Sequence, residues 1–119
     1  LDEDAPQIYR NGWCADYPDE NNWVLEAFHP TKSQNNPKWD PASESAQAFM
    51  AAVEGAAASP DQDERAAMYR EAEKILTVDH AVIIPIYYYT RVVCTKPYVE
   101  RGYAPLGGEH IDKWKVLAH

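Results

Sequence analysis

The chain has 119 residues, of which 45% are hydrophobic and 12% aromatic, enough apolar material for one modest domain or a piece of a larger one. Eleven basic against nineteen acidic residues leave a net charge of −8, which repels phosphate backbones, so nucleic acid is not an expected partner. No stretch approaches the ~18 uninterrupted apolar residues of a membrane-spanning helix, because Pro85 breaks the longest candidate, AVIIPIYYY.

The opening LDEDAPQ has no initiator methionine and none of the features of a secretion signal, so Leu1 reads as a cut or processed end. PQIYRNGWCADY suits a short strand ending near Trp13, and PDENN is turn chemistry. In NNWVLEAFHP, Trp23, Val24, Ala27 and Phe28 fall at helical spacing, which predicts one or two turns stopping at Pro30. A polar loop follows from Thr31 to Asp40. Asp40 and Pro41 then form a natural cap and first-turn pair for a helix running to about Ala58. Its buried stripe is Ala46, Phe49, Met50, Val53 and Ala57, with Glu44, Gln47 and Glu54 left to solvent and Gly55 weakening the end.

SPDQ at 59–62 announces a second helix, with Ser59 as cap, Pro60 at the first position and Gln62 completing a capping box. Ala66, Tyr69, Ala72, Glu73 and Leu76 line one side, Glu73 at its edge, and the short connection makes the pair a helical hairpin. HAVIIPIYYYTRVVCTKPYV, rich in β-branched and aromatic residues, reads as one or two extended strands with Pro85 at an edge, an end or a bulge. The tail has glycines for turns, and IDKWKVL is a candidate closing strand.

Few residues are arranged for chemistry. His29, His80, His110 and His119 are scattered, and no paired metal-ligand spacing or phosphate-binding glycine loop exists, so neither metal nor cofactor is expected. Asp16, Asp19 and Glu20 lack the alternation and glycine of a calcium loop. Cys14 has no local base for covalent catalysis. Cys14 and Cys94 leave three readings open: partly buried free thiols, a mutual disulfide, or a bond to a cysteine outside this sequence. In a strand, Tyr87 and Tyr89 share one face and Tyr88 takes the other, which suits core packing or the presentation of a phenol to a ligand.

Four segments, in order, resemble the C-terminal part of the bacterial periplasmic oligopeptide-binding proteins, the solute receptors of peptide ABC importers. RNGWCADYPDENN is similar to the family's Trp-Cys-Ala-Asp-Tyr segment, RAAMYREAEKIL to its helix with the Tyr-x-x-Ala-Glu pattern, and HAVIIPIYYYTRVV to its strand ending in Pro-x-Tyr-Tyr-Tyr. KPYVERGY and the turn-rich tail resemble its C-terminus, so the likeness runs from about Gln7 to His119.

The resemblance implies a mixed α/β fold: the C-terminal part of a two-lobed, type II periplasmic-binding-protein fold, with a helical hairpin packed on short mixed strands. Residues 1–90 would belong to the second, peptide-gripping lobe, and 91–119 would cross back to complete the first. By the same resemblance Asp16 pairs with the ligand's α-amino group, and backbone around Gly12, Trp13 and Cys14 pairs with the extended peptide. Tyr89 lines the site, Arg10 meets the carboxylate of short ligands, and Trp13 either lines a side-chain pocket or packs the lobe. In some relatives the motif cysteine bonds to one earlier in the chain. The implied protein is a non-catalytic receptor, periplasmic or anchored as an envelope lipoprotein, delivering short peptides to a membrane permease. Related receptors for dipeptides, nickel complexes or sugars are the alternative, and a hydrolase using Cys14 or paired carboxylates the remote one. A part of a receptor would also expose apolar surface, a route to a homodimer.

Overall fold

The structure, a computed structural model, describes residues 6–103, 106 and 108–118; Leu1, Gly107 and His119 lie outside the described residues. Helices α1 (Glu20–Phe28), α2 (Glu44–Ala58) and α3 (Gln62–Lys74) come first, and α3 runs directly into a π-helical turn at Ile75–Asp79. Downstream, β1 (Val99–Glu100) and β2 (Lys115–Val116) form an antiparallel pair with Val99 opposite Val116, and a 3-10 turn at Ile111–Lys113 leads into β2. The chain is therefore mixed helix and strand, as expected.

The helix starts differ from their predicted positions. Asp19 caps α1, its carboxylate accepting from the Asn21 amide at 2.8 Å, so the helix absorbs Glu20–Asn22 from the predicted turn. The helix ends at His29, where the following Pro30 forces extended backbone. Ser43 rather than Asp40 caps α2, because Asp40 closes a turn of its own: its carboxylate accepts from the Ala42 amide and its carbonyl from the Ser43 amide. Asp61 rather than Ser59 caps α3. One Asp61 oxygen accepts from the Asp63 and Glu64 amides at 3.0 and 2.9 Å, and an anion suits a helix N-terminus better than a hydroxyl. Ser59 instead closes α2 as its C-cap.

The core lies between the hairpin helices. Ala46, Phe49, Val53 and Ala56 of α2 meet Tyr69 and Ala72 of α3, with Ile75 and Leu76 of the π turn and Val24 of α1 closing the cluster. Ala56 is buried where Ala57 was expected, and Met50 is only half-buried. Gly55 has a packing role: a Cβ there would lie 2.8 Å from the Met68 sulfur, so its absence lets α3 approach. The hairpin packs on α1, Val82 and Ile83, not on strands.

The strand predicted before Trp13 does not form, and of the stretch 80–99 only Val99, at its end, enters a ladder, as the first residue of β1. The remaining residues of both favour extended backbone, but a strand needs a neighbour to pair its amides and carbonyls, and among the described residues no segment pairs with them in a ladder. Ile84, Ile86, Tyr88 and Val92 are consequently exposed, Tyr88 by 93%, so core packing of the tyrosine run does not occur. The radius of gyration is 18.9 Å, against about 13.5 Å for a compact domain of this length. Cys14 and Cys94 are free and exposed, which overturns both the buried-thiol reading and a bond between them.

In this 119-residue chain, Phe49→Ala should cost about 3–5 kcal/mol in denaturant unfolding, while Tyr88→Ser should change stability by under about 0.5 kcal/mol. A large loss from Tyr88→Ser would mean that the extended stretch is packed in solution.

Candidate functional site

The loop 12–18 has no regular structure of its own and hangs on the first turn of α1. Asn22 is fully buried there, and its Oδ1 accepts from the Trp13 indole N–H at 2.9 Å and from the Asp16 amide at 3.1 Å. Its Nδ2 donates to Glu26 Oε2 at 2.8 Å and lies 3.5 Å from Asp16 Oδ2. Glu26 also accepts from the Tyr17 hydroxyl at 2.5 Å, a bond that pushes the Tyr17 phenol up. Helix α3 secures this turn from the other side: Tyr69 donates to Asn21 Oδ1 at 3.2 Å, and Arg65 pairs with Asp19 at 2.6 Å.

The second half of the site arrives from far along the chain. Arg10 donates to the Tyr87 hydroxyl at 3.1 Å and to the Tyr89 hydroxyl, and its guanidinium lies 5.7 Å from the centre of the Tyr89 ring. Tyr87 and Tyr89 meet edge to face at 5.1 Å, as residues on one side of an extended chain do. Hydrogen bonding from Tyr89 and Arg10 holds the Tyr87 phenol low, while Tyr87 pushes Tyr89 up. A Cβ on Gly12 would stand 3.3 Å from the Tyr89 hydroxyl, and Cys14 is near enough to act electrostatically on that phenol. Arg10, Gly12 and Cys14 thus face Tyr89, whereas Trp13 turns the other way onto Asn22.

Of the six residues singled out by sequence, the structure gathers Arg10, Gly12, Cys14 and Tyr89 on one side and Trp13 with Asp16 around Asn22 on the other. Asp16 is exposed, and apart from Asn22 its carboxylate has no partner among the described residues. The site is an open surface; a shallow hollow lined by Pro6, Tyr9, Asn36 and Lys38 contains none of the six. No group of metal-ligating side chains gathers among the described residues, and none of their helices is long and apolar enough to cross a membrane.

Over nearly all its length this chain is similar to periplasmic oligopeptide-binding proteins. It is 31% identical over 115 residues to the periplasmic oligopeptide-binding protein OppA of Escherichia coli K12, and 29% identical over 114 residues to OppA of Salmonella typhimurium LT2. Each match covers 94% of this chain, and the chain spans 20% of the length of these curated relatives. The resemblance seen in the four motifs is borne out, and the relatives are named as binding proteins rather than enzymes. No protein-family profile matches, and no solved structure matches.

Sequence reasoning missed Asn22 and Glu26, and it placed Tyr87 on one face with Tyr89 without counting it among the site residues. Asn22 and Glu26 stand four apart, on one helix face, and that spacing was the available signal. Asp19, beside Arg65, is held below the usual carboxylate range, so its pairing stabilises the fold above about pH 3.9 and is lost as pH falls through its lowered value. Glu20, pushed up by burial and then by Glu73, works in the opposite sense. Asp19→Asn should therefore lower stability at pH 7 and flatten the acid limb of a stability–pH curve. An unchanged acid limb would show that the pair contributes nothing in solution.

Proposed function

We propose that this chain is part of an extracytoplasmic receptor that binds short peptides for import through an ABC permease, with Asp16 pairing with the peptide's α-amino group. The observation that carries this reading is the exposed Asp16 carboxylate, without an ion-pair partner among the described residues, at the end of a segment whose backbone is free to pair. The amide groups of Trp13 and Cys14 make no hydrogen bond among the described residues, which suits a peptide added alongside as a strand. Main-chain pairing is indifferent to side-chain identity and so supports a broad ligand range. The similarity to OppA proteins of two bacteria supports the same class of ligand and a periplasmic or envelope setting.

On this reading Arg10, which now meets the Tyr87 and Tyr89 hydroxyls, turns to the carboxylate of short ligands, and Tyr89 lines the peptide site. A two-lobed receptor also accounts for the chain's division: none of the described residues from 99 to 118 contributes to the helical core, in keeping with a second-lobe portion up to about residue 90 and a crossing segment after it. The permease would be the partner of the whole receptor.

In the whole protein as its cells make it, N-acetylating a tripeptide should weaken binding at least about tenfold, since an unpaired buried charge on either partner costs 2 kcal/mol or more. Asp16→Asn should weaken the free peptide and leave the acetylated one nearly unchanged. Equal affinities of wild type for both peptides, measured by calorimetry, would remove Asp16 as the anchor.

A further inference from the structure

We propose that Asn22 is the positioning residue of the peptide site, fixing the Asp16 carboxylate by holding its backbone; this rests on the reading of Asp16 as the amine anchor. Buried asparagine is rare without partners, and this one has opposite demands on its two ends. Two donors, the Trp13 indole and the Asp16 amide, point at Oδ1 from 2.9 and 3.1 Å, so that atom must be the acceptor. A carboxylate, Glu26, faces the other end at 2.8 Å, so that atom must be the donor. No other residue type of this size satisfies both. The loop carries no ladder or helix of its own, so these bonds set where Asp16 stands relative to α1. Trp13 is held by the same oxygen, so one carboxamide orients the indole and the anchor together.

The polarity of the carboxamide makes the idea separable from mere packing. Asn22→Asp keeps the size and the acceptor but sets a carboxylate against Glu26 and, across the 3.5 Å that now separates Nδ2 from Asp16 Oδ2, against Asp16 as well. Adding Glu26→Gln to it restores a donor to that contact and leaves Tyr17 an acceptor. The test uses the whole protein, with two readouts: hydrogen exchange at the Asp16 amide, and the affinity ratio of trialanine to N-acetyl-trialanine. Losing about 1.4 kcal/mol of hydrogen bonding is a tenfold effect, so Asn22→Ala and Asn22→Asp should each speed Asp16 exchange about tenfold and shrink the affinity ratio severalfold. The double variant should recover part of the protection, the repulsion from Glu26 being removed and that from Asp16 remaining. Unchanged exchange in both single variants would overturn the proposal, as would a double variant no better protected than Asn22→Asp. Should wild type fail to distinguish the two peptides, the amine-anchor reading falls by itself, and the proposal, which rests on it, falls as a statement about peptide binding even where exchange shows the loop tethered.

Discussion

Tyr69 joins the two halves of the helical unit. Its ring is fully buried among Phe49, Val53 and the other core residues, while its hydroxyl reaches the seam with α1, donating to Asn21 and accepting from Arg65. Burial pushes the phenol up, so the proton it donates stays in place. A tyrosine serves here because its body needs an apolar setting and its tip needs a polar one. From that point a chain of contacts runs outward: Asn21 and Asp19 fix the start of α1, Asn22 in the same turn grips Trp13 and Asp16, and the loop 12–18 takes its position from the core.

The far end of α1 is held just as firmly, through His29. Its ring is buried; Nδ1 accepts from the Thr31 and Lys32 amides, which leaves Nε2 to donate to Glu54 of α2 at 3.0 Å. Lys32, and after it His29, holds the Glu54 carboxyl below its ordinary range. The polar loop beyond is ordered by asparagines: Asn35 exchanges two bonds with the Trp39 backbone, and Asn36 donates to the Ala27 carbonyl. With both ends tied, α1 can present a loop on its first turn without that loop having structure of its own.

What could be read from sequence divides along the range of the interactions. Helices were legible because period and caps are local, and Phe49, Val53, Tyr69 and Leu76 fell where their spacing put them. The caps slipped because two candidates compete within one turn: Asp61 satisfies two amides to the one of Ser59, and Asp40 is taken up by a turn of its own, which leaves the start of α2 to Ser43. Strands were less legible for the opposite reason: IDKWKVL did contain β2, but the longer runs formed no ladder. HAVIIPIYYY has every local mark of a strand, yet a ladder depends on a neighbour that local pattern does not specify. At the site, Trp13, Asp16 and Tyr89 were recognisable by motif. The contact of Arg10 with Tyr89 spans 79 positions, and Asn22 looked like any polar residue in a first turn.

The two walls of the site are consequently built to different tolerances. Asp16 is tied through a buried asparagine to a helix packed on the core, where loss of a bond leaves a polar atom without water. Tyr89 is held by exposed hydrogen bonds and one edge-to-face ring contact on a stretch with no ladder, interactions that each compete with solvent. Under the peptide-receptor reading this asymmetry has a use. The feature every unmodified peptide shares, its α-amino group, meets the rigid wall, and the features that differ from one peptide to the next meet the compliant one.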